Sequence, residues 1–265
     1  MGSATPLRIL ITGAASGIGA AVVAAAQAAG HHVWALDRDA EGLQRLSGVT
    51  RIVCDLADGA AIDAVAGQAP QLDVLVNGAG VAVFRSAEEA APEAIEHMFA
   101  VNVLAPARLT RVLLPALRRS RGFVVNISSL AGRLTFPESG FYAATKHALE
   151  AMSEALALEV GELGVRVRVI QPGAIASALQ AGAIALGGER RDDSLYAAQH
   201  AAWDKRRTDI LAEPPQAPEL VAAALLASLT GDTPFVRVPV GSDAERILRG
   251  ESETALDAVE RGARI

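Results

Sequence analysis

Short apolar runs rich in Val, Ile and Leu alternate with longer stretches of helical spacing along all 265 residues of the chain. The runs at 7–12, 33–37, 51–54, 73–76, 123–127, 165–170 and 235–240 predict strands. Between them the spacing predicts helices over 18–29, 40–46, 59–68, 92–99, 103–119 and 142–163. A longer helical region runs over 176–229, broken near Gly187-Gly188 and Pro214-Pro215. Near-continuous apolar strands belong to a parallel sheet covered on both faces. Regular alternation of strand and helix implies right-handed crossovers. The expected fold is α/β, a three-layer, doubly wound parallel sheet forming a single domain over 1–265. Ligands of such sheets bind beyond the carboxyl ends of the strands, so the chemistry should follow strands.

Composition sharpens this picture by exclusion. The chain is 51% hydrophobic with only 4% aromatics, which suits closely packed, Ala-rich helices. Its formal charge of −6 argues against a nucleic-acid footprint. The clusters Arg118, Arg119 and Arg121, Arg190 and Arg191, and Lys205 to Arg207 read as solvated helix ends and loops. Apolar runs fall short of the ~20 residues of a membrane span, so no membrane partner is expected. Strand-like residues begin at Leu7, so no cleaved leader is expected. Cys54 is the single cysteine, so no intrachain disulfide forms, and a reducing cytoplasm is the expected location. No metal site is expected: His31 and His32 are adjacent before a strand and point to opposite faces.

The first strand runs into Thr12-Gly13-Ala14-Ala15-Ser16-Gly17-Ile18-Gly19. Gly13 permits a turn that a side chain would hinder. Gly17 lets backbone N–H groups approach a diphosphate at the helix start, with Ser16 and Ile18 beside it. Gly19 lets the helix pack close to the strand. The second strand ends in Asp37, 20 residues after Gly17. A carboxylate there accepts from adenosine ribose hydroxyls and repels a 2′-phosphate, which selects NAD over NADP. Arg38 is the counter-signal, because a guanidinium can meet that phosphate. Asp55-Leu56 either flanks the adenine or belongs to a helix cap near Asp58. Asn77-Gly78-Ala79-Gly80 is either a bend against the cofactor or a plain turn.

Ser128-Ser129 follows the fifth strand, and Tyr142-Ala143-Ala144-Thr145-Lys146 opens a helix. Residues four apart share a helix face, so Tyr142 and Lys146 are neighbours. An ammonium held close is expected to lower the phenol toward neutrality, where acid–base work is efficient. A hydroxyl from Ser129 would hold the substrate oxygen.

With these motifs in place, the chain resembles the short-chain dehydrogenase/reductase family over nearly its whole length. The carriers are TGAASGIG (12–19), Asp37, CDLAD (54–58), NGAG (77–80), Asn102 in VNVLAP, NISSLAG (126–132), YAATK (142–146) and QPGAIAS (171–177). The resemblance implies a Rossmann-like domain and a tetrad of Asn102, Ser129, Tyr142 and Lys146. Asn102 would bend a helix and hold a water. Ser129, not Ser128, has the family's spacing to tyrosine. Tyr142 would be the acid/base, and Lys146 would bind the nicotinamide ribose. Pro172, Gly173, Ile175 and Ser177 would border the nicotinamide. The family usually has asparagine at Gly78 and threonine at Ser177; the first change removes a side chain that often braces strands, and the second keeps a hydroxyl.

The segment at about 178–215 is expected to form a helical substrate lid hinged at Gly187-Gly188. It carries Gly182, Leu179, Leu186, Tyr196 and Trp203, with Val83, Phe84, Leu134, Phe136 and Phe141 opposite. Together they suggest an apolar secondary alcohol or ketone. The tail PVGSDAERILRG (239–250), opening a C-terminal extension over 241–265, resembles the branch similar to 17β-hydroxysteroid dehydrogenases. The expected function is NAD(H)-dependent interconversion of a secondary alcohol and a ketone. The alternatives are an NADPH-dependent carbonyl reductase, a dinucleotide-sensing binding protein without turnover, and a reductase of acyl-carrier thioesters docked by Arg190 and Arg191. Ala-rich helices carrying Asn102 and Tyr142 suit subunit packing, so a homodimer or homotetramer is expected.

Overall fold

The residues Val74–Asn77 and Phe123–Ile127 are buried along their whole lengths, because each pair of neighbours in a covered parallel sheet leaves no solvent face. The computed structural model describes residues 5–177, 179, 186, 193–210 and 214–248. Its strands are β1 (Arg8–Thr12), β2 (His32–Asp37), β3 (Thr50–Val53), β4 (Val74–Asn77), β5 (Phe123–Ile127), β6 (Arg166–Pro172) and β7 (Phe235–Val240). All seven pair in parallel in the order β3-β2-β1-β4-β5-β6-β7. The chain forms the single Rossmann-like α/β architecture expected of it.

The helices are α1 (Gly17–Ala28), α2 (Ala40–Gln44), α3 (Gly59–Gln68), α4 (Pro92–Phe99), α5 (Ala105–Ser120), α6 (Gly140–Val160), α7 (Ala197–Ile210), α8 (Pro218–Ser228) and α9 (Ser242–Leu248). Alternate strand residues serve opposite layers. Leu10, Leu75 and Val124 pack with Ile62, Leu109, Leu113 and Ala157 from α3, α5 and α6. Ile9, Ile11 and Val125 pack with Val22, Val23, Val221 and Leu225 from α1 and α8. The order of strands reverses between β1 and β4, and their carboxyl ends open the crevice that holds the site.

Two stretches depart from the predicted pattern. A π turn, Ala100–Leu104, joins α4 to α5, so the helices run on without a break. The resulting stretch, Pro92–Ser120, is long and apolar enough to cross a membrane by length and composition alone. Its apolar side chains Met98, Leu109, Leu113 and Leu117 lie in the protein core. The predicted region over 176–229 contains α7 and α8, separated at Pro214-Pro215, where Ile175 bridges to Gln216. Gly182, Gly187-Gly188, Arg190, Arg191 and most of the C-terminal extension lie outside the described residues.

Candidate active site

The turn after β1 and the bend after β4 touch. Gly13 has φ 71°, and a Cβ there would stand 2.8 Å from the Ala79 α-carbon. The Thr12 hydroxyl fixes that approach, accepting from the Gly78 and Ala79 N–H groups at 3.0 Å each. Gly78 fits this packing, since a Cβ would lie 2.8 Å from the Thr12 carbonyl oxygen. Ser16 precedes α1 and makes no side-chain capping bond. The first N–H groups of a helix have no intrahelical partner, so the start of α1 keeps donors for an anion.

One cavity of about 960 Å³ runs from this turn to Tyr142. Gly13, Ser16, Ile18, Gly19, Asp37, Arg38, Asp55, Leu56, Gly78 and Ala79 line its nucleotide end. Asp37 is held in place by N–H groups of Ala15 and Asp39, each at 3.0 Å. Asp58 caps α3 by accepting from Ala60 and Ala61, while Asp55 accepts from Ala57 at 2.9 Å. The cap is therefore Asp58, and Asp55 stands on the cavity wall. A Cβ on Gly17 would stand 3.5 Å from Ser177, which lines the cavity. Asn77 is buried in the sheet, where its Nδ2 donates to Asn126 Oδ1 at 2.7 Å. Asn126 in turn donates to Ser153 Oγ at 2.8 Å, tying β4, β5 and α6 together.

At the chemical end, Ser129, Tyr142 and Lys146 line the same cavity. Ser129 Oγ accepts from Ala131 N–H at 3.1 Å. Asn102 stands in the π turn behind the wall. Its Oδ1 accepts from Val81 N–H at 2.9 Å, and its Nδ2 donates to the Val81 oxygen at 2.8 Å and Thr145 Oγ1 at 3.1 Å. Lys146 Nζ donates to the Ile127 carbonyl oxygen at 2.8 Å and lies 5.8 Å from the centre of the Tyr142 ring. Between these groups there is room: a Cβ on Gly80 would stand 3.5 Å from Asn102 Oδ1 and 3.7 Å from Lys146 Nζ.

The expected lowering of Tyr142 by Lys146 is reversed in the protein alone. Burial pushes the phenol up to about 12, and the Ser129 hydroxyl works in the opposite direction. Burial also pushes Lys146 down to about 8, against the raising influence of Glu150. Taking a group out of water disfavours its charged form, whichever sign that is. Tyr142 is thus a neutral phenol around neutral pH.

Pro172, Gly173, Ile175 and Ser177 line the cavity beyond β6. A residue that sequence reasoning passed over braces this loop. Asp243, buried in α9, accepts from Ala174 N–H at 2.8 Å. It lies within the tail singled out for its branch resemblance, which was the available signal.

Of the proposed substrate wall, Phe84, Phe136, Leu179 and Trp203 line the cavity. Val83 is core, Phe141 packs against that core, and Leu134 packs beside Leu130 and Ile247. Tyr196 points away, donating to Glu88 at 2.7 Å. Glu138, with φ 63°, directs its carboxylate to His200 of α7, whose other ring nitrogen lies 3.3 Å from Glu89. This clasp holds α7 against the loops over the cavity. No group of three or more metal-binding side chains exists among the described residues.

A family model described as short chain dehydrogenase matches residues 8–185. A dehydrogenase/reductase SDR family member 7B from Bos taurus is 35% identical over 201 residues, 69% of this chain and 62% of that protein. A probable short-chain type dehydrogenase/reductase, VdlC, from Helicobacter pylori is 36% identical over 198 residues, 71% of each chain. The chain therefore spans between 62% and 71% of the length of these two relatives. The crystal structure of a short-chain dehydrogenase from Streptomyces avermitilis matches with a TM-score of 0.79 at 32% identity, covering 99% of this chain and 98% of the other.

Proposed function

The chain belongs to the short-chain dehydrogenase/reductase family, oxidoreductases that act on CH–OH groups with a nicotinamide dinucleotide, and within it we propose an NAD-dependent interconversion of a secondary alcohol and a ketone. The observation that carries this reading is the single cavity joining Asp37 to Tyr142. The nucleotide end suits a dinucleotide: donors at the start of α1, a carboxylate for ribose hydroxyls, and a turn that a side chain would fill. When bound, the dinucleotide supplies or accepts the hydride.

The chain's own residues manage the proton. In the reductive direction Tyr142 gives its phenolic proton to the substrate oxygen, and in oxidation it takes that proton back. Ser129 hydrogen-bonds the same oxygen. Lys146, charged below about pH 8, favours the phenolate that proton transfer leaves. Asn102 fixes the loop after β4 through its two hydrogen bonds to Val81. Asp37 selects NAD. A second reading, with NADP, rests on Arg38, which is exposed at the same cavity rim.

The body of the substrate is apolar, in keeping with Phe84, Phe136, Leu179 and Trp203. Leu104 and Leu158, exposed at 64% and 82% beside and on the long helices, support a homo-oligomer built on those faces. The single cysteine suits a cytoplasmic setting. The test is a screen of secondary alcohols and ketones with NAD and NADP, read by nicotinamide absorbance. Turnover with NAD is the expected result; a dinucleotide that binds without any turnover would leave a sensing protein instead.

A further inference from the structure

Arg85 follows Phe84, whose ring meets the Tyr142 ring edge-on with centroids 5.7 Å apart, and it lines the same cavity. Much of this arginine is fixed. Its backbone N–H donates to the Glu138 carbonyl oxygen at 2.8 Å, and Nη1 donates to the Phe84 carbonyl oxygen at 2.8 Å. Nη2 is buried and has no hydrogen-bond partner among the described residues. A guanidinium stays charged at every pH the protein meets. Buried donors are nearly always satisfied, and a charged one left unpaired is especially unfavourable.

Among the described residues no acid relieves it. No ion pair joins Arg85 to a carboxylate among the described residues. Glu138 is engaged by His200, and Glu89 by Ser86, Ser194 and His200. Asp204, on the same cavity wall, has an interaction of its own. The dinucleotide does not explain the vacancy either. Its diphosphate would lie at the turn after β1, its adenosine ribose at Asp37, and its nicotinamide half at Lys146 and the loop after β6, whereas Arg85 follows β4 beside Phe84 and bonds to Glu138.

We propose that Arg85 binds a carboxylate on the substrate, so that the molecule reacting at Tyr142 is a hydroxy acid or keto acid with an apolar body. The inference rests on the alcohol–ketone reading above and makes its substrate class more specific. Nη2 carries two N–H donors, and a carboxylate oxygen would accept a charge-assisted hydrogen bond from it. One guanidinium balances one negative charge. A phosphate monoester brings about 1.5 to 2 negative charges; Lys146 is committed to the Ile127 oxygen, and Arg38 stands at the nucleotide end.

The test uses the intact protein with its dinucleotide and a series of secondary hydroxy acids. The carboxylate is placed about two to six carbons from the carbinol, and each acid is compared with its own methyl ester. In the unaltered protein at least one acid should exceed its ester in kcat/KM by about tenfold, a step expected of one charge-assisted hydrogen-bonded contact. In Arg85→Met that acid-to-ester ratio should fall by about the same factor, chiefly through KM; Arg85→Lys should keep part of it. Binding is followed independently by quenching of tryptophan emission, since Trp203 lines the cavity. Esters preferred throughout, or a ratio unchanged in Arg85→Met, would overturn the proposal. The wild-type comparison decides even if the Met variant fails to fold. Ester turnover without acid preference removes only the Arg85 assignment. Arg85-dependent quenching by hydroxy acids without any turnover removes only the alcohol–ketone reading.

Discussion

Lys146 Nζ lies 5.8 Å from the centre of the Tyr142 ring while giving a hydrogen bond to the Ile127 oxygen at the end of β5. The ammonium is beside the phenol but anchored to the sheet. Burial governs both groups, raising the phenol to about 12 and lowering the ammonium to about 8.

The first prediction concerns the phenol. The chain has two tyrosines, and Tyr196 is itself raised by its hydrogen bond to Glu88. The protein alone should therefore show no phenolate absorbance up to about pH 9, below the ordinary tyrosine value. Added oxidised dinucleotide brings positive charge near Tyr142 and should produce the absorbance of one phenolate, absent from Tyr142→Phe. That variant should bind dinucleotide and lose about 10²- to 10⁴-fold in kcat. A spectrum indifferent to the dinucleotide would count against Tyr142 as the proton-transfer group.

Lys146 gives a stability prediction. Its pKa of about 8 in the folded protein lies below the 10.5 of the unfolded chain. Between these values the unfolded chain binds more protons, so this residue makes stability rise with pH across the window. Below about pH 8 the fold carries a buried cation. Lys146→Met should be more stable at pH 7 by roughly 1 to 3 kcal/mol, allowing for the lost bond to Ile127, while activity collapses. Urea denaturation at pH 7 and in the middle of the window measures both effects; a less stable variant at pH 7 would contradict the burial argument.

Asp37 should set cofactor choice. Replacing it with alanine removes the ribose acceptor and a negative charge from the rim that Arg38 shares. NAD turnover should fall by about 10- to 100-fold in kcat/KM, the equivalent of one or two charged hydrogen bonds, and NADP should gain. An unchanged NAD-to-NADP ratio would refute the assignment.

At the opposite end of the sheet, Arg8 grips Asp73 through Nε at 2.8 Å and Nη2 at 2.9 Å, and the Arg8 backbone N–H donates to the same carboxylate. Burial alone would raise this carboxyl, but the three Arg8 bonds outweigh it and hold it below the ordinary range. Its contribution is therefore complete above the unfolded value near pH ~4 and is lost as pH falls through the lower folded value. Asp73→Ala should cost about 2 kcal/mol at pH 7 and flatten the acid limb of the stability profile. Equal acid sensitivity in both proteins would rule this out.

The legible features were those whose partners are close in sequence. The glycine turn at 12–19 and the Tyr142–Lys146 pair announce themselves by spacing, and the seven strands by apolar runs. What stayed hidden depends on distant partners. Nothing near Asn77 in the sequence points to Asn126, 49 residues on, to which its Nδ2 donates. His200 meets Glu138 across 62 residues. Arg168 in β6 is 1% exposed, satisfied by the oxygens of Val167, Ser228, Thr230 and Thr233. The raised pKa of Tyr142 departs from the expectation for a related reason: spacing reports who is adjacent, and burial is a property of the whole fold.

The π turn at Ala100–Leu104 makes this stretch sensitive to chain length more than to composition. It accommodates an extra residue relative to an α-helix. Removing one residue there would let α4 and α5 merge into a regular helix and rotate one against the other by about 100°. Either Met98 or the row Leu109, Leu113 and Leu117 would then leave the core, and Asn102 would lose Val81. Many point changes can be absorbed in such a segment; a single-codon deletion cannot.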